Sequence, residues 1–226
     1  MLKFASYIGK DINVPPYSLQ PDINLYIWEH HLETEELNEL YESIPLCNKD
    51  DEGLCSLHGK RYMERISIRI LLKQLLGSQS CIHYLETGRP ILTSGLAELS
   101  ISHTKDIYAI SLSKEKHGMD IEQWGSKALK LINMFLNEEE QLLLNDSSIP
   151  LLSSPERNAT LLWSAKEAIY KYIDRPGLSF KEDISISYNT KQELKANVRS
   201  SEEELFVYFE ALPHCILTCC KSTPFA

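Results

Sequence analysis

The last third of the chain constrains the fold most, because its residues alternate in the manner of β-strands. Apolar and polar residues alternate through four short runs within residues 178–220, which read SFKEDISISY, ELKANV, ELFVYFEAL and HCILTCC. The connections between these runs are of hairpin length, so consecutive strands are expected to pair antiparallel. This part of the chain is therefore predicted to form an antiparallel sheet.

Two long helical patterns stand among further strand candidates. Residues 60–76 and 156–174 have apolar residues at helical spacing, and the helices are predicted to end at Gly77 and at the RPG of residues 175–177. Shorter helices are expected over 33–44, 126–136 and 137–145, strands over 24–30, 81–85, 98–102 and 107–113, and loops over 45–60 and 147–155. Interspersed helices and strands with hairpin-length connections predict an α+β architecture rather than a doubly wound fold.

The composition excludes some classes of protein. The 23 basic and 32 acidic side chains give a formal charge of −9, which argues against general nucleic-acid binding. No stretch approaches the roughly 20 apolar residues of a membrane span, and the amino terminus lacks the apolar run of a signal peptide. The six cysteines have no paired CxxC spacing. They are expected to be reduced thiols rather than metal ligands, in a cytoplasmic protein.

The segment GMDIE at 118–122 places two carboxylates on one face of an extended strand. Asp120 and Glu122 point the same way because side chains alternate, while Met119 and Ile121 point the other way. Two like charges on one face repel each other unless the face is well solvated or a cation lies between them.

A second charged pattern lies in the WSAKEAIYKY of residues 163–172. Glu167 and Lys171 are four residues apart and share a helix face, and Lys166 lies about 100° round the helix from Glu167. Such a pair alone is most often a surface salt bridge. The carboxylate of Glu167 together with the two strand carboxylates would form the oxygen donor set that Mg²⁺ prefers. The neighbouring lysines would then bind the phosphates of a substrate. The combination predicts a magnesium-dependent enzyme that acts on a pyrophosphate-type substrate.

These motifs resemble those of the Sfp-type 4′-phosphopantetheinyl transferase family. Its members carry Gly-(Val/Ile)-Asp-x-Glu, here GMDIE, followed by Trp-x-x-Lys-Glu-(Ala/Ser)-x-x-Lys, here WSAKEAIYK. GRP at 88–90 matches a Gly-Lys-Pro turn, and SISHT at 100–104 matches an Asn-Leu-Ser-His-Ser segment. The resemblance covers about residues 60–182, and its Lys-Glu-Ala form is that of the Trp/Lys-Glu-Ala subgroup.

The resemblance implies a reaction and a set of roles. The family transfers 4′-phosphopantetheine from coenzyme A to a serine of an apo acyl or peptidyl carrier protein and releases 3′,5′-ADP, as a holo-[acyl-carrier-protein] synthase does. Asp120, Glu122 and Glu167 are expected to bind magnesium. Lys166 and Lys171 are expected to contact the pyrophosphate, with Lys171 neutralising the departing nucleotide. The general base is either Glu167 or a metal-bound water.

Further coenzyme A contacts are implied for Arg61, Arg65, Arg89, Pro90, Ser102 and His103. Arg61, or Arg65 as second choice, is expected to contact the 3′-phosphate. Both belong to a ridge of basic residues on helix 60–76. These residues recur every four positions, and the ridge continues through Arg69 and Lys73. The ridge is also consistent with a solvated face or with a surface for acidic carrier proteins.

The implied fold is two similar α/β halves with antiparallel sheets, related by pseudo-twofold symmetry. They are expected to span residues 1–116 and 117–226, the second half carrying the metal ligands and the Lys-Glu motif, in a monomeric chain. Two alternatives remain open. One is a magnesium-dependent phosphohydrolase that uses water as the acceptor, and the other is a non-catalytic relative that binds carrier proteins.

Overall fold

The described part of the chain, in a computed structural model, comprises residues 17–20, 22–44, 54, 56–77, 80–145, 154–190, 193–199 and 201–225. It divides into two units, Met1–Glu115 and Lys116–Ala226. Each unit combines helices with antiparallel strands, which confirms the mixed architecture. The pseudo-twofold symmetry stays a prediction.

Unit 1 is built on a four-stranded sheet and a small hairpin. Its elements are β1 Tyr17–Gln20, β2 Ile23–Glu29, α1 Thr34–Glu42, α2 Gly59–Leu76, β3 Ile82–Tyr84, β4 Pro90–Leu92, β5 Glu98–Thr104 and β6 Ile107–Ser113. The sheet has the order β1-β2-β6-β5, and β3 pairs with β4. β6 lies between two strands and is buried along its whole length. The unit's core includes Trp28 and Ile110 from the sheet and Ile66 and Ile70 from α2.

Unit 2 contains one five-stranded sheet and one long helix. Its elements are β7 Gly118–Gln123, α3 Lys127–Lys130, α4 Ile132–Phe135, α5 Glu138–Leu142, α6 Pro155–Ile173, β8 Ile184–Thr190, β9 Glu193–Val198, β10 Glu204–Ala211 and β11 Cys215–Lys221. The strand order is β7-β11-β10-β9-β8, and all of the pairs are antiparallel. The first strand of the unit therefore pairs with its last strand.

Helix α6 has capping residues at both of its ends. The Ser154 side chain accepts a hydrogen bond from the Arg157 backbone N–H at 3.3 Å, and Pro155 occupies the first turn. At the other end, Asp174 adopts a left-handed conformation with φ +55°, shortly before Pro176. Buried apolar residues at helical spacing, including Leu162, place one face of the helix in the core of unit 2.

Gly118 allows α6 to pack unusually close to β7. A Cβ atom at this position would lie 2.1 Å from the carbonyl oxygen of Ala168 and 2.6 Å from the backbone nitrogen of Tyr172. Only a residue without a side chain fits such a contact. Asp120, two residues further along β7, points to the same face of the strand and therefore toward α6.

Most predicted elements are confirmed, with differences in detail. The long helices and the strands of both units lie close to their predicted ranges, whereas the helical region 126–145 consists of three short helices. The hairpin strand β4 was not predicted. The loop predictions for 45–60 and 147–155 fall largely outside the described residues. No helix among the described residues has the length and apolar character needed to cross a membrane.

The expectation of six reduced thiols is wrong at Cys81. Cys81 is disulfide-bonded, whereas Cys215, Cys219 and Cys220 are buried thiols on β11 that are not in disulfides. These three pack within the sheet, as the structural interpretation predicted.

Candidate active site

Asp120 is the centre of a polar cluster in unit 2. Its side chain is 8% exposed, on the face of β7 that α6 covers. One carboxylate oxygen, Oδ2, accepts a hydrogen bond from Ser164 Oγ at 2.7 Å, and the other, Oδ1, accepts one from Lys171 Nζ at 2.8 Å. Both donors are on α6, so the helix holds this carboxylate in one orientation.

Ser164 links Asp120 to the neighbouring strand. Its Oγ lies 2.9 Å from Thr218 Oγ1, and Thr218 Oγ1 donates to the Ser164 carbonyl oxygen at 2.9 Å. Thr218 stands opposite Asp120 in the β7–β11 ladder. A helix residue and two paired strands are thus joined by buried hydrogen bonds, which fixes the position of the carboxylate.

Lys171 bridges a side chain and a backbone carbonyl of β7. Besides its ion pair with Asp120, its ammonium donates to the carbonyl oxygen of Met119 at 3.0 Å. The lysine side chain is 27% exposed, so it can also reach a ligand from solvent. Lys171 and Glu167 share a face of α6, where Lys171 bonds to Asp120 and the charges of Asp120 and Glu122 act on Glu167.

Glu167 lies in a strongly negative environment. Burial raises its pKa to about 7, the charges of Asp120 and Glu122 act in the same direction, and Lys171 opposes them. These interactions place all three predicted carboxylates within electrostatic reach of one another. The cluster therefore carries excess negative charge that a proton or a cation can relieve.

The donor chemistry fits magnesium, although the side chains are not arranged around a metal. Carboxylate oxygens are the ligands that hard Mg²⁺ prefers. In the described part of the chain, however, no three Asp, Glu, His or Cys side chains are close enough together to hold a metal ion as they stand. The ammonium of Lys171 and the hydroxyl of Ser164 occupy the oxygens of Asp120 instead. The predicted metal set stays a prediction.

Lys166 is in a different environment from its neighbour Lys171. It is fully buried, and its ammonium donates to Glu140 Oε2 at 2.6 Å and to three backbone carbonyl oxygens. The expected contact of Lys166 with a pyrophosphate does not fit this placement, because an ammonium has three N–H groups and all are used within the protein.

An aromatic cluster lies beside Glu167 on α6. The Trp163 ring contacts Phe135 edge-on, with ring centroids 5.2 Å apart, and lies 5.6 Å from Phe180. Tyr170 packs on Phe180 at 5.7 Å. These rings cover the side of α6 that lies between Lys166 and Glu167.

The predicted basic ridge of α2 is only partly exposed. Arg61 is exposed in the first turns of the helix, and Arg65 is partly buried with its guanidinium 4.0 Å from the centroid of the Tyr84 ring. Arg69 and Lys73 are buried, at 5% and 3% exposure. A solvated face therefore describes only the first half of the ridge.

The other residues predicted to bind coenzyme A lie on β4, β5 and the turn before β4. Arg89 Nη2 pairs with Glu98 Oε2 at 2.5 Å, and Pro90 is the first residue of β4. On β5, Ser102 is buried and His103 is exposed, with its Nδ1 3.6 Å from Glu64 Oε1. Glu64 belongs to α2, so this helix and the end of β5 come together within unit 1. The roles of these residues toward coenzyme A stay predictions.

Sequence reasoning missed two members of the Asp120 cluster, Ser164 and Thr218, and the partner of Lys166, Glu140. Ser164 is seven residues before Lys171 and thus on the same helix face, a signal that could have identified it. Thr218 could be found only from the register of β7 with β11. Glu140 ends the NEEE of residues 137–140, a capping-box pattern. That pattern predicts its bond to the backbone but not its ion pair with Lys166.

Comparison with protein families finds a match within unit 2. Residues 116–220 match the sequence model of the 4′-phosphopantetheinyl transferase superfamily. The match includes the carboxylates of β7 and both lysines of α6, and it does not extend into unit 1. A search of curated protein sequences finds no match to the chain.

Proposed function

We propose that this chain is a 4′-phosphopantetheinyl transferase that modifies a serine of an apo acyl or peptidyl carrier protein. The observation that carries the proposal is the cluster of Asp120, Glu122 and Glu167 with Lys171, within a segment that matches the superfamily. In the proposed reaction the carrier serine attacks the β-phosphorus of coenzyme A. Its proton goes to a base, and 3′,5′-ADP leaves.

Asp120, Glu122 and Glu167 would hold magnesium in this function. The fit rests on the donor set, because three carboxylates in one cluster leave negative charge that Lys171 alone does not balance. A bound magnesium ion would supply positive charge against the pyrophosphate of coenzyme A. For the metal to bind, Lys171 would give up its bond to Oδ1 of Asp120.

The protein's own residues have roles that follow from their environments. Lys171 is partly exposed, and once released from Asp120 its ammonium can donate to a phosphate oxygen of the departing nucleotide. Glu167 is a candidate general base, because a carboxylate at the site can accept the proton of the carrier serine. Lys166 is left out of the proposed phosphate contacts because its ammonium is saturated by protein oxygens.

Coenzyme A binding by unit 1 is part of the same proposal. Arg61 and Arg65 are proposed for the 3′-phosphate, and Arg89 and His103 for other phosphates of the ligand. Arg61 and His103 are exposed side chains, which is consistent with such roles. Ser102 and Pro90 are proposed to shape the backbone beside these residues. The protein is further proposed to be a cytoplasmic monomer of the Sfp type.

The decisive experiment weighs apo carrier proteins by intact mass spectrometry after incubation with the protein, coenzyme A and magnesium. A gain of about 340 Da, the mass of the phosphopantetheinyl group moved in the phosphoryl transfer, is expected on at least one carrier. Glu167→Ala is expected to abolish the gain. Glu139→Ala, which removes an exposed glutamate of the same unit, should leave it unchanged.

The same experiment separates the alternatives. Release of phosphopantetheine from coenzyme A in the absence of any carrier would favour a phosphohydrolase. A carrier that binds the protein without gaining mass would favour a non-catalytic relative. No mass gain on any of a broad panel of carriers, with coenzyme A binding confirmed, would refute the transferase.

A further inference from the structure

Lys166 is a buried cation whose hydrogen bonds are all made within the protein. Its ammonium donates to the carbonyl oxygens of Phe135 at 2.8 Å, Phe180 at 2.7 Å and Ile184 at 2.9 Å, and to Glu140 Oε2 at 2.6 Å. These acceptors come from four separate parts of unit 2: the end of α4, the segment before β8, β8 itself and α5. One side chain of α6 therefore joins these four segments to the helix.

Glu140 is equally well satisfied. It is 1% exposed, its Oε1 accepts from the backbone N–H of Ile186 at 2.8 Å, and its Oε2 accepts from the backbone N–H of Asn137 at 2.9 Å as well as from Lys166. The carboxylate therefore accepts hydrogen bonds from the N-terminal cap of α5, from the backbone of β8 and from the ammonium of Lys166. We call Lys166, Glu140 and these backbone partners the Lys166 hub.

The hub anchors α6 in a different direction from the Asp120 cluster. Lys166 lies about 100° round the helix from Glu167, whereas Ser164 and Lys171 hold the helix to β7 on the other side. Two anchors in different directions prevent the helix from turning about its axis. A rotation of about 10° moves an atom that lies 5–6 Å from the axis by about 1 Å.

Stability alone is a weak reason for such a pair. Burying two charges costs desolvation free energy, and apolar replacements of buried ion pairs are often neutral or stabilising. The pair does impose a defined geometry, because each bond of the hub has one direction and one length. An apolar contact in the same place would allow α6 to slide or turn.

We propose that Lys166, acting through Glu140, is a positioning residue that fixes the rotation of α6 and thereby presents Glu167 to Asp120 and Glu122. The inference rests on the proposed magnesium site, since it is the metal ligands that the hub aligns. It assigns to Lys166 no contact with coenzyme A or with the metal.

The test is the affinity of the full chain for Mn²⁺ without coenzyme A, measured by electron paramagnetic resonance. Lys166→Met and Glu140→Gln should each weaken Mn²⁺ binding by roughly tenfold or more, because a turned α6 misplaces Glu167; direct loss of a partner bonded to a metal ligand costs about tenfold to a hundredfold. Because both act through one hub, the double variant should be no worse than the weaker-binding single variant. Lys130→Met and Glu139→Gln, which change exposed residues of the same unit, are the matched controls and should bind as the wild type does.

The sign of the effect distinguishes the proposal from a direct phosphate contact. If Lys166 were a free cation near the site, its removal would leave Mn²⁺ binding unchanged or tighter, because a repelling charge is lost. Unchanged or tighter binding in folded Lys166→Met, or additive effects of the two substitutions, would overturn the proposal. Circular dichroism establishes folding, and Glu140→Gln alone decides the matter if Lys166→Met does not fold. If neither variant folds, the hub serves stability only and the proposal is overturned.

Failure of the proposed function gives a different result. Wild type that binds no Mn²⁺, or that binds it equally well after Asp120→Ala, would remove the metal site itself and the positioning role with it. Wild type that loses Mn²⁺ on Asp120→Ala but keeps it in both hub variants would overturn the positioning role alone.

Discussion

The close contact at Gly118 allows the effect of a single methyl group to be worked out from the structure. In a Gly118→Ala variant the new Cβ would lie 2.1 Å from the carbonyl oxygen of Ala168. Non-bonded heavy atoms need more than 3 Å, so α6 would have to retreat from β7 by about 1 Å. Overpacking of this kind typically costs about 1–3 kcal/mol of unfolding free energy.

The functional loss is expected to exceed the loss of stability. Ser164 bonds to Asp120 at 2.7 Å, and a retreat of about 1 Å takes its hydroxyl beyond the range of a hydrogen bond. The same retreat moves Glu167 away from the carboxylates of β7. A misplacement of that size can reduce the rate of a reaction about a hundredfold. Gly118→Ala is therefore expected to transfer phosphopantetheine at about a hundredth of the wild-type rate while it remains folded.

Gly125→Ala is the matched control, because a Cβ there meets no atom within 4 Å and the residue does not have a positive φ. Urea unfolding and the initial rate of carrier modification are measured for both variants. A folded Gly118→Ala with the wild-type rate would refute the argument that the approach of α6 to β7 sets the site. Equal loss in both variants would show that the effect is not specific to the contact.

Three further predictions concern single side chains. Burial lowers the pKa of His30 to about 4, with Asp106 opposing and His31 adding to the shift. The unfolded state then binds more protons below pH 6.5, and stability should fall by up to about 3 kcal/mol as the pH drops from 6.5 to 4; urea unfolding of His30→Gln should lack that fall. Ser164→Ala removes a donor to Asp120 and is expected to reduce the transfer rate about tenfold, unlike the exposed Ser185→Ala; equal rates in the two would contradict this. Asp120→Ala should abolish magnesium-dependent transfer with an unchanged circular dichroism spectrum, and wild-type turnover would remove Asp120 from the ligand set.

The arrangement of the candidate site could be predicted in part because it depends on local periodicity. Strand alternation places Asp120 and Glu122 on one face, and helical spacing places Glu167 and Lys171 on another. Bringing the two together requires only that the helix packs on the strand, as it does here through Gly118. These signals are present in short stretches of sequence.

The burial of Lys166, Arg69 and Lys73 could not be predicted in this way. Charged residues are rarely buried, so a basic residue on a helix is expected to face solvent. Whether it does depends on what other elements bring to it. For Lys166 this is Glu140 from another helix, a contact that neither sequence segment encodes alone.

Pairing of β7 with β11 has a consequence for how unit 2 is made. The strand that carries Asp120 is synthesised early in the unit and finds its neighbour only after every other element of the unit has left the ribosome. Contacts between residues so far apart along the chain slow folding, because the entropy of closing a long loop is lost before the contacts can form and stabilise the fold. During that interval β7 has no neighbouring strand from its own sheet, and its backbone N–H and C=O groups are available to other strands. The edge of β7 therefore stays open to aggregation until β11 pairs with it, and the same pairing brings Thr218 opposite Asp120 at the proposed site.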